Sequence, residues 1–132
     1  MFKHYTLLLF GLVLLMASCE KPAGEGGTSA IYGKAYAEVY NEAGTEIVSQ
    51  YYAADEDVFI IYGGENGTYD DKFATSHDGS FRFENLTIGT YTLFIYSRCL
   101  DGCDSGYDIV EKKIEITENK SENNIGDIVF NR

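Results

Sequence analysis

Apolar and polar residues alternate along most of this chain with a period of two, the repeat of a β-strand whose side chains point to opposite faces. Ile31, Gly33, Ala35, Ala37 and Val39 fall on one face of the first such segment, and Tyr32, Lys34, Tyr36, Glu38 and Tyr40 on the other. Asn41-Glu42-Ala43-Gly44 reads as a turn and 45–53 as a second strand. Residues 57–62 (DVFIIY) are apolar on both faces, which predicts a central strand. After the turn-rich stretch 63–71, strands are predicted over 71–76 and 80–84, flanking His77-Asp78-Gly79. Asp-Gly between two strand patterns is a hairpin signal, because glycine supplies the positive φ that the turn demands. Further strands are predicted over 90–98, over 108–116 with Lys112-Lys113 interrupting the apolar positions, and over 125–130 after a polar loop at 117–124. Seven to eight short strands at this spacing, with no helical periodicity, predict an all-β fold, a sandwich or barrel.

The amino-terminal segment follows another rule. Lys3 precedes an uncharged, mostly apolar run at 6–16 (TLLLFGLVLLM), which is shorter than the roughly 20 residues of a membrane-spanning helix. Its length suits the apolar region of a secretory signal. Met16-Ala17-Ser18-Cys19 resembles a bacterial lipobox. That resemblance implies a lipid on the Cys19 thiol and cleavage before it, so that the membrane is a partner through that lipid. Residues 1–18 are then a lipoprotein signal, and the Gly-rich stretch 19–29 is a flexible tether. Residues 30–132 form one domain, long enough for a core of its own. The expected location is the cell envelope, with the lipid in the outer membrane and the domain periplasmic or surface-exposed.

Charge narrows the partners. The chain carries 21 Asp and Glu against 10 Lys and Arg, a net charge of −11. Removal of the signal takes away Lys3 alone among these residues and leaves −12. Such a surface repels phosphate backbones, so nucleic acid is not an expected partner. It also opposes binding of anionic lipid through the protein surface. With 11 Tyr, 8 Phe, 14 Gly and 1 Pro, the composition favours strands and turns.

A family resemblance rests on Asp78-Gly79-Ser80-Phe81-Arg82-Phe83, then Asn85-Leu86, then Gly89-Thr90-Tyr91-Thr92-Leu93. This run resembles the central signature of carboxypeptidase regulatory-like domains. The opening Ile31-Tyr32-Gly33-Lys34-Ala35 and the closing Asn124-Ile125-Gly126-Asp127-Ile128 resemble that family's first and last strands. The resemblance implies a transthyretin-like (prealbumin-like) Greek-key β-sandwich. It implies an accessory module rather than an enzyme, since the fold carries no activity with it. Within the run, Asp78-Gly79 makes the turn, Phe81 and Phe83 alternate inward, Leu86 plugs the sandwich end, and Tyr91 and Leu93 point to the core. Small anchored proteins of this kind are similar to the lipoproteins of Bacteroidetes.

No catalytic constellation emerges. His77 has Ser76 and Asp78 beside it, but neighbours on one tight turn cannot converge as a triad does. No cofactor is implied. Cys99 and Cys103 bracket Leu100-Asp101-Gly102, and an exported pair of thiols is expected to form a disulfide. Asp101, Asp104 and Asp108 offer hard oxygen ligands and are weak calcium candidates, without EF-hand spacing. Tyr32, Tyr36 and Tyr40 share one strand face. The stripe reads either as packing on a sheet or as a surface on which sugar rings stack. Two functions follow: a non-enzymatic envelope lipoprotein acting as a structural or protein-binding module, or a carbohydrate-binding accessory protein using exposed tyrosines.

Overall fold

A computed structural model describes residues 21–64 and 68–132 of the chain. Cys19 and the signal segment lie outside the described residues. The described residues form eight strands: β1 (Glu25–Tyr40), β2 (Ile47–Tyr52), β3 (Asp57–Tyr62), β4 (Asp71–Ala74), β5 (Ser80–Leu86), β6 (Gly89–Arg98), β7 (Tyr107–Ile116) and β8 (Glu122–Asn131). They build two sheets, so the chain is an all-β sandwich.

β1 organises the first sheet. Its 16 residues hold β8 in parallel on one side, and on the other side β5 and then β2, both antiparallel. The exchange of partners occurs at Ala35, whose N–H donates to the Gly79 carbonyl and whose carbonyl accepts from the Ala53 N–H, both at 2.9 Å. In a strand the N–H and C=O of one residue point to the same side. β5 and β2 therefore lie end to end along one edge of β1. The second sheet has the order β4-β3-β6-β7, all antiparallel, with β3 internal as its doubly apolar sequence predicts.

The core lies between the sheets. β1 contributes Ile31, Ala35 and Ala37, and β5 contributes Phe81, Phe83 and Leu86. Ala53, Val58, Ile60, Tyr91, Leu93, Ile95, Ile116, Ile128 and Phe130 complete it. The alternation read from β1, the inward Phe81 and Phe83, and the buried Leu86, Tyr91 and Leu93 are all as the sequence predicts. β1 needs a small residue at Gly33, because a Cβ there would stand 2.4 Å from the Gly126 carbonyl oxygen of the bulged β8.

Two details depart from the sequence reading. The Asp78-Gly79 turn is present, with Gly79 at φ +79° and its N–H donating to the Ser76 carbonyl. It does not close a hairpin, since β4 pairs with β3 in one sheet and β5 with β1 in the other. Turn chemistry fixes the bend but not whether the flanking strands hydrogen-bond. The strand predicted over 108–116 is present as β7, which carries Lys112-Lys113 and runs unbroken from Tyr107 to Ile116 against β6. Lys112 is half-buried there, and its ammonium donates to the Ile125 carbonyl at 3.1 Å. Finally, β1 begins at Glu25 rather than Ala30, so the second half of the expected tether is folded. Ser29 is buried, and the Thr87 hydroxyl donates to the Pro22 carbonyl at 2.8 Å.

Candidate functional site

The predicted tyrosine stripe lies on the outer face of the first sheet. Tyr32, Tyr36 and Tyr40 are half-buried there and do not form a bare platform. The Arg82 guanidinium sits 5.8 Å from the Tyr32 ring centre, held by a bidentate pair to Glu122 at 2.7 and 2.8 Å. Glu122 and Glu84 raise the Arg82 pKa, and Arg82 in turn lowers that of Glu122. Tyr36 meets Tyr52 of β2 edge-on, at 5.1 Å and 70°. Tyr40 lies at the far end, where its N–H donates to the Arg132 carbonyl.

A groove of about 500 Å³ opens on this face between Tyr32 and Tyr52, with Lys34, Arg82, Asn124 and Asp127 around it. Its polar groups already have partners. The Tyr52 hydroxyl donates to Asp127 at 3.0 Å, which raises the Tyr52 pKa. Lys34 reaches Asp78 at 3.6 Å and lies 4.8 Å from the Tyr52 ring centre. Hydrogen bonds from the Ser80 hydroxyl and N–H, helped by Lys34, pull the Asp78 carboxyl down to about 2.

The exposed aromatic surface is on the other sheet. Phe59 of β3 and Phe94 of β6 are paired neighbours whose side chains point away from the core. Their rings stack at 5.0 Å and 14°, and they are only 7% and 8% exposed because two tyrosines cover them. Tyr69 lies 4.7 Å from Phe59, and Tyr96 stands edge-on to both phenylalanines at 5.4 and 5.7 Å. These covering rings are themselves open to solvent: Tyr69 is 48% exposed, Tyr96 51%, and Tyr107 at the start of β7 is 65% exposed. Ile109, cross-strand partner of Tyr96, is 47% exposed.

Tyr96 and Ile109 divide this face into two adjoining clefts. One of about 560 Å³ is bordered by Tyr69, Phe94, Thr92, Glu111 and Lys113. The other, of about 570 Å³, is bordered by Tyr107, Ser105 and Asp108. Aromatic faces beside hydroxyl, carboxylate and ammonium groups suit a ligand with apolar faces and a hydroxylated edge. The sequence reading passed over these tyrosines because no two share a strand. Tyr69 precedes β4, Tyr96 lies in β6 and Tyr107 opens β7, so only strand pairing brings them together.

The β6–β7 loop borders this surface. Cys99 and Cys103 are joined there with Cα atoms 6.1 Å apart, inside the range a disulfide needs. The Cys103 N–H lies 3.1 Å from the Cys99 sulfur, and the Cys99 N–H donates to the Gly106 carbonyl at 3.0 Å. Asp101, Asp104 and Asp108 are exposed. Among the described residues, no three carboxylate, imidazole or thiol groups are gathered as a cation site would require, so these aspartates do not converge. No helix among the described residues is long and apolar enough to cross a membrane.

No protein-family model matches the chain, and no curated protein matches it. Among solved structures it is similar to a Pseudomonas aeruginosa protein proposed to bind carbohydrate. The TM-score is 0.50 at 13% identity, over 83% of this chain and 92% of that one. At that identity the likeness is one of fold.

Proposed function

We propose that this chain is a non-enzymatic, lipid-anchored envelope protein whose sandwich binds glycan on the outer face of the second sheet. The observation that carries the reading is the cluster of Tyr69, Tyr96 and Tyr107, about half or more exposed, over a stacked Phe59–Phe94 floor. Burying such rings against water is favourable only if something covers them, and the apolar faces of pyranose rings do so without requiring a large apolar partner. The fold shared with a protein proposed to bind carbohydrate supports this reading, as does the resemblance of 78–93 to accessory domains. The net charge of −11 favours neutral glycans over polyanionic ones.

The anchor would be the lipid on Cys19. Only Glu20 and Lys21 separate it from Pro22, which the Thr87 hydroxyl holds, so the leash spans at most about 10 Å, three steps at about 3.5 Å per residue. β6 starts at this end, and Tyr96 lies seven residues beyond Gly89, roughly 24 Å at about 3.4 Å per residue. Tyr96 and Tyr107 would then face away from the membrane, toward the medium from which glycan arrives.

A glycan array followed by calorimetry on the best ligand tests the site. Tyr107→Ala and Tyr96→Ala are each expected to weaken binding by about tenfold, equivalent to roughly 1.4 kcal/mol. Tyr32→Ala, on the opposite face, should leave it unchanged. Binding that survives both of the first two substitutions at full affinity removes the assignment. For the anchor, Cys19→Ser should move the protein out of the membrane fraction, and its full retention there would refute lipidation.

A further inference from the structure

The two sheets expose five edge strands: β4 and β7 on the second sheet, and β8 opposite β5 and β2 on the first. Four of them carry charged side chains. β4 has Asp71 and Lys72, β5 has Arg82 and Glu84, β7 has Glu111, Lys112, Lys113 and Glu115 among others, and β8 has Glu122 and Asp127. Charge on an edge strand is a common device against unwanted pairing. β2 (IVSQYY) has none, in a chain that is 23% charged, and it also lacks proline and glycine.

Every residue of β2 is exposed, including Ile47, Val48, Tyr51 and Tyr52. The Ala53–Ala35 hydrogen bond sets the phase of the ladder. Tyr51 and Ser49, opposite Ala37 and Val39, turn their backbone groups toward β1. A register shift between Val39 and Tyr40 leaves Val48 at a bulge, so it is Gln50 and Tyr52 that turn their N–H and C=O groups outward, and among the described residues β2 pairs with β1 alone.

We infer that β2 is an acceptor edge for an extended segment of a different protein, which adds to the first sheet as a further strand beside Gln50 and Tyr52. A row of outward backbone donors and acceptors at alternate residues is complementary to another strand. Charge specifies the segment further. The uncharged stretch is flanked by Glu46 on one side and Asp55 on the other, Glu56 being paired with Arg132, and Glu38 lies beside Gln50, whose amide donates to it at 3.3 Å. A β-branched or aromatic segment with lysine or arginine at its ends fits this edge.

A second copy of the chain does not fit. Antiparallel β2–β2 pairing would place the two amino-terminal ends at opposite poles, which two copies held to one membrane by Cys19 cannot adopt; that exclusion alone rests on the anchor proposed above. Parallel self-pairing leaves the assembly unclosed.

The test uses hydrogen exchange on the full chain with a defined probe, a capped peptide of alternating valine and threonine with lysine at each end. At about ten times its Kd, the peptide should slow exchange of the Gln50 and Tyr52 amides by about tenfold. The Ser80, Arg82 and Glu84 amides of the neighbouring edge should be unaffected. Val48→Lys should abolish the protection while leaving the melting temperature unchanged, since Val48 is 63% exposed. Absence of protection, equal protection on β5 or β7, or protection arising from self-association without peptide would each overturn the inference. None of these outcomes depends on glycan binding.

Discussion

Tyr91 and Gly24 stand 67 positions apart in the chain and are joined by a buried hydrogen bond, in which the Gly24 N–H donates to the Tyr91 hydroxyl at 2.9 Å. The same hydroxyl donates to the Thr87 carbonyl at 2.8 Å, and the Thr87 N–H donates to the Gly24 carbonyl at 2.9 Å. One phenol thus fastens the segment entering the domain to the β5–β6 connection. The Tyr62 ring meets Tyr91 edge-on at 5.8 Å and closes the arrangement from the side.

Tyr91→Phe is expected to destabilise the domain by about 1–3 kcal/mol, because the Gly24 N–H is left buried without its acceptor. Urea unfolding measures this. Tyr91 points into the core, away from the face proposed to bind glycan, so affinity in the folded variant should not change. A midpoint equal to that of the wild type would mean that water replaces the hydroxyl.

Gly79→Val is expected to cost more than the about 1–3 kcal/mol of a strained backbone position alone. Gly79 has φ +79°, and an added Cβ would lie 2.9 Å from both the Ala35 carbonyl oxygen and the Tyr52 Cβ. This is the point where β5 ends and β2 takes over along β1. The melting temperature reports the loss, and an unchanged value would show that the turn relaxes freely.

Tyr62 carries a pH signature. Burial, followed by the nearby charges of Asp71, Glu25 and Asp70, pushes its pKa from 10.0 up to about 12. A folded-state pKa above the unfolded one means that the unfolded chain loses its proton first as pH rises. The contribution to stability is therefore complete below about pH 10 and is lost between 10 and 12. Thermal melts across that range should fall less steeply in Tyr62→Phe than in the wild type, and parallel curves would contradict this.

The Cys99–Cys103 link closes a ring with a sequence separation of 4, too short to remove much entropy from the unfolded chain. Reduction is expected to lower stability by about 1 kcal/mol or less. It should alter the β6–β7 loop beside Tyr107 and so weaken glycan binding. Mass spectrometry of the non-reduced chain checks the bond itself, and two free thiols under oxidising conditions would rule it out.

The period-two pattern by itself determined that the chain is all-β, which face of β1 enters the core, and that Phe81, Phe83, Leu86, Tyr91 and Leu93 do so as well. These follow from local alternation, since the side-chain direction in a strand depends only on position parity. The positive φ at Gly79 was legible for the same reason: Asp-Gly states a local backbone requirement. Partnership was not legible. Nothing in residues 71–84 says that β4 and β5 belong to opposite sheets, or that β1 exchanges β5 for β2 at Ala35. The candidate site was the least legible part. Tyr32, Tyr36 and Tyr40 stand out because they share a strand, but neighbouring strands supply Tyr52 and Arg82 to cover them. Tyr69, Tyr96 and Tyr107 look unrelated in the sequence and become one surface through the pairing of β3, β6 and β7. Parity sets which way a side chain points, whereas its exposure depends on what the rest of the chain lays over it, and only the tertiary structure decided that.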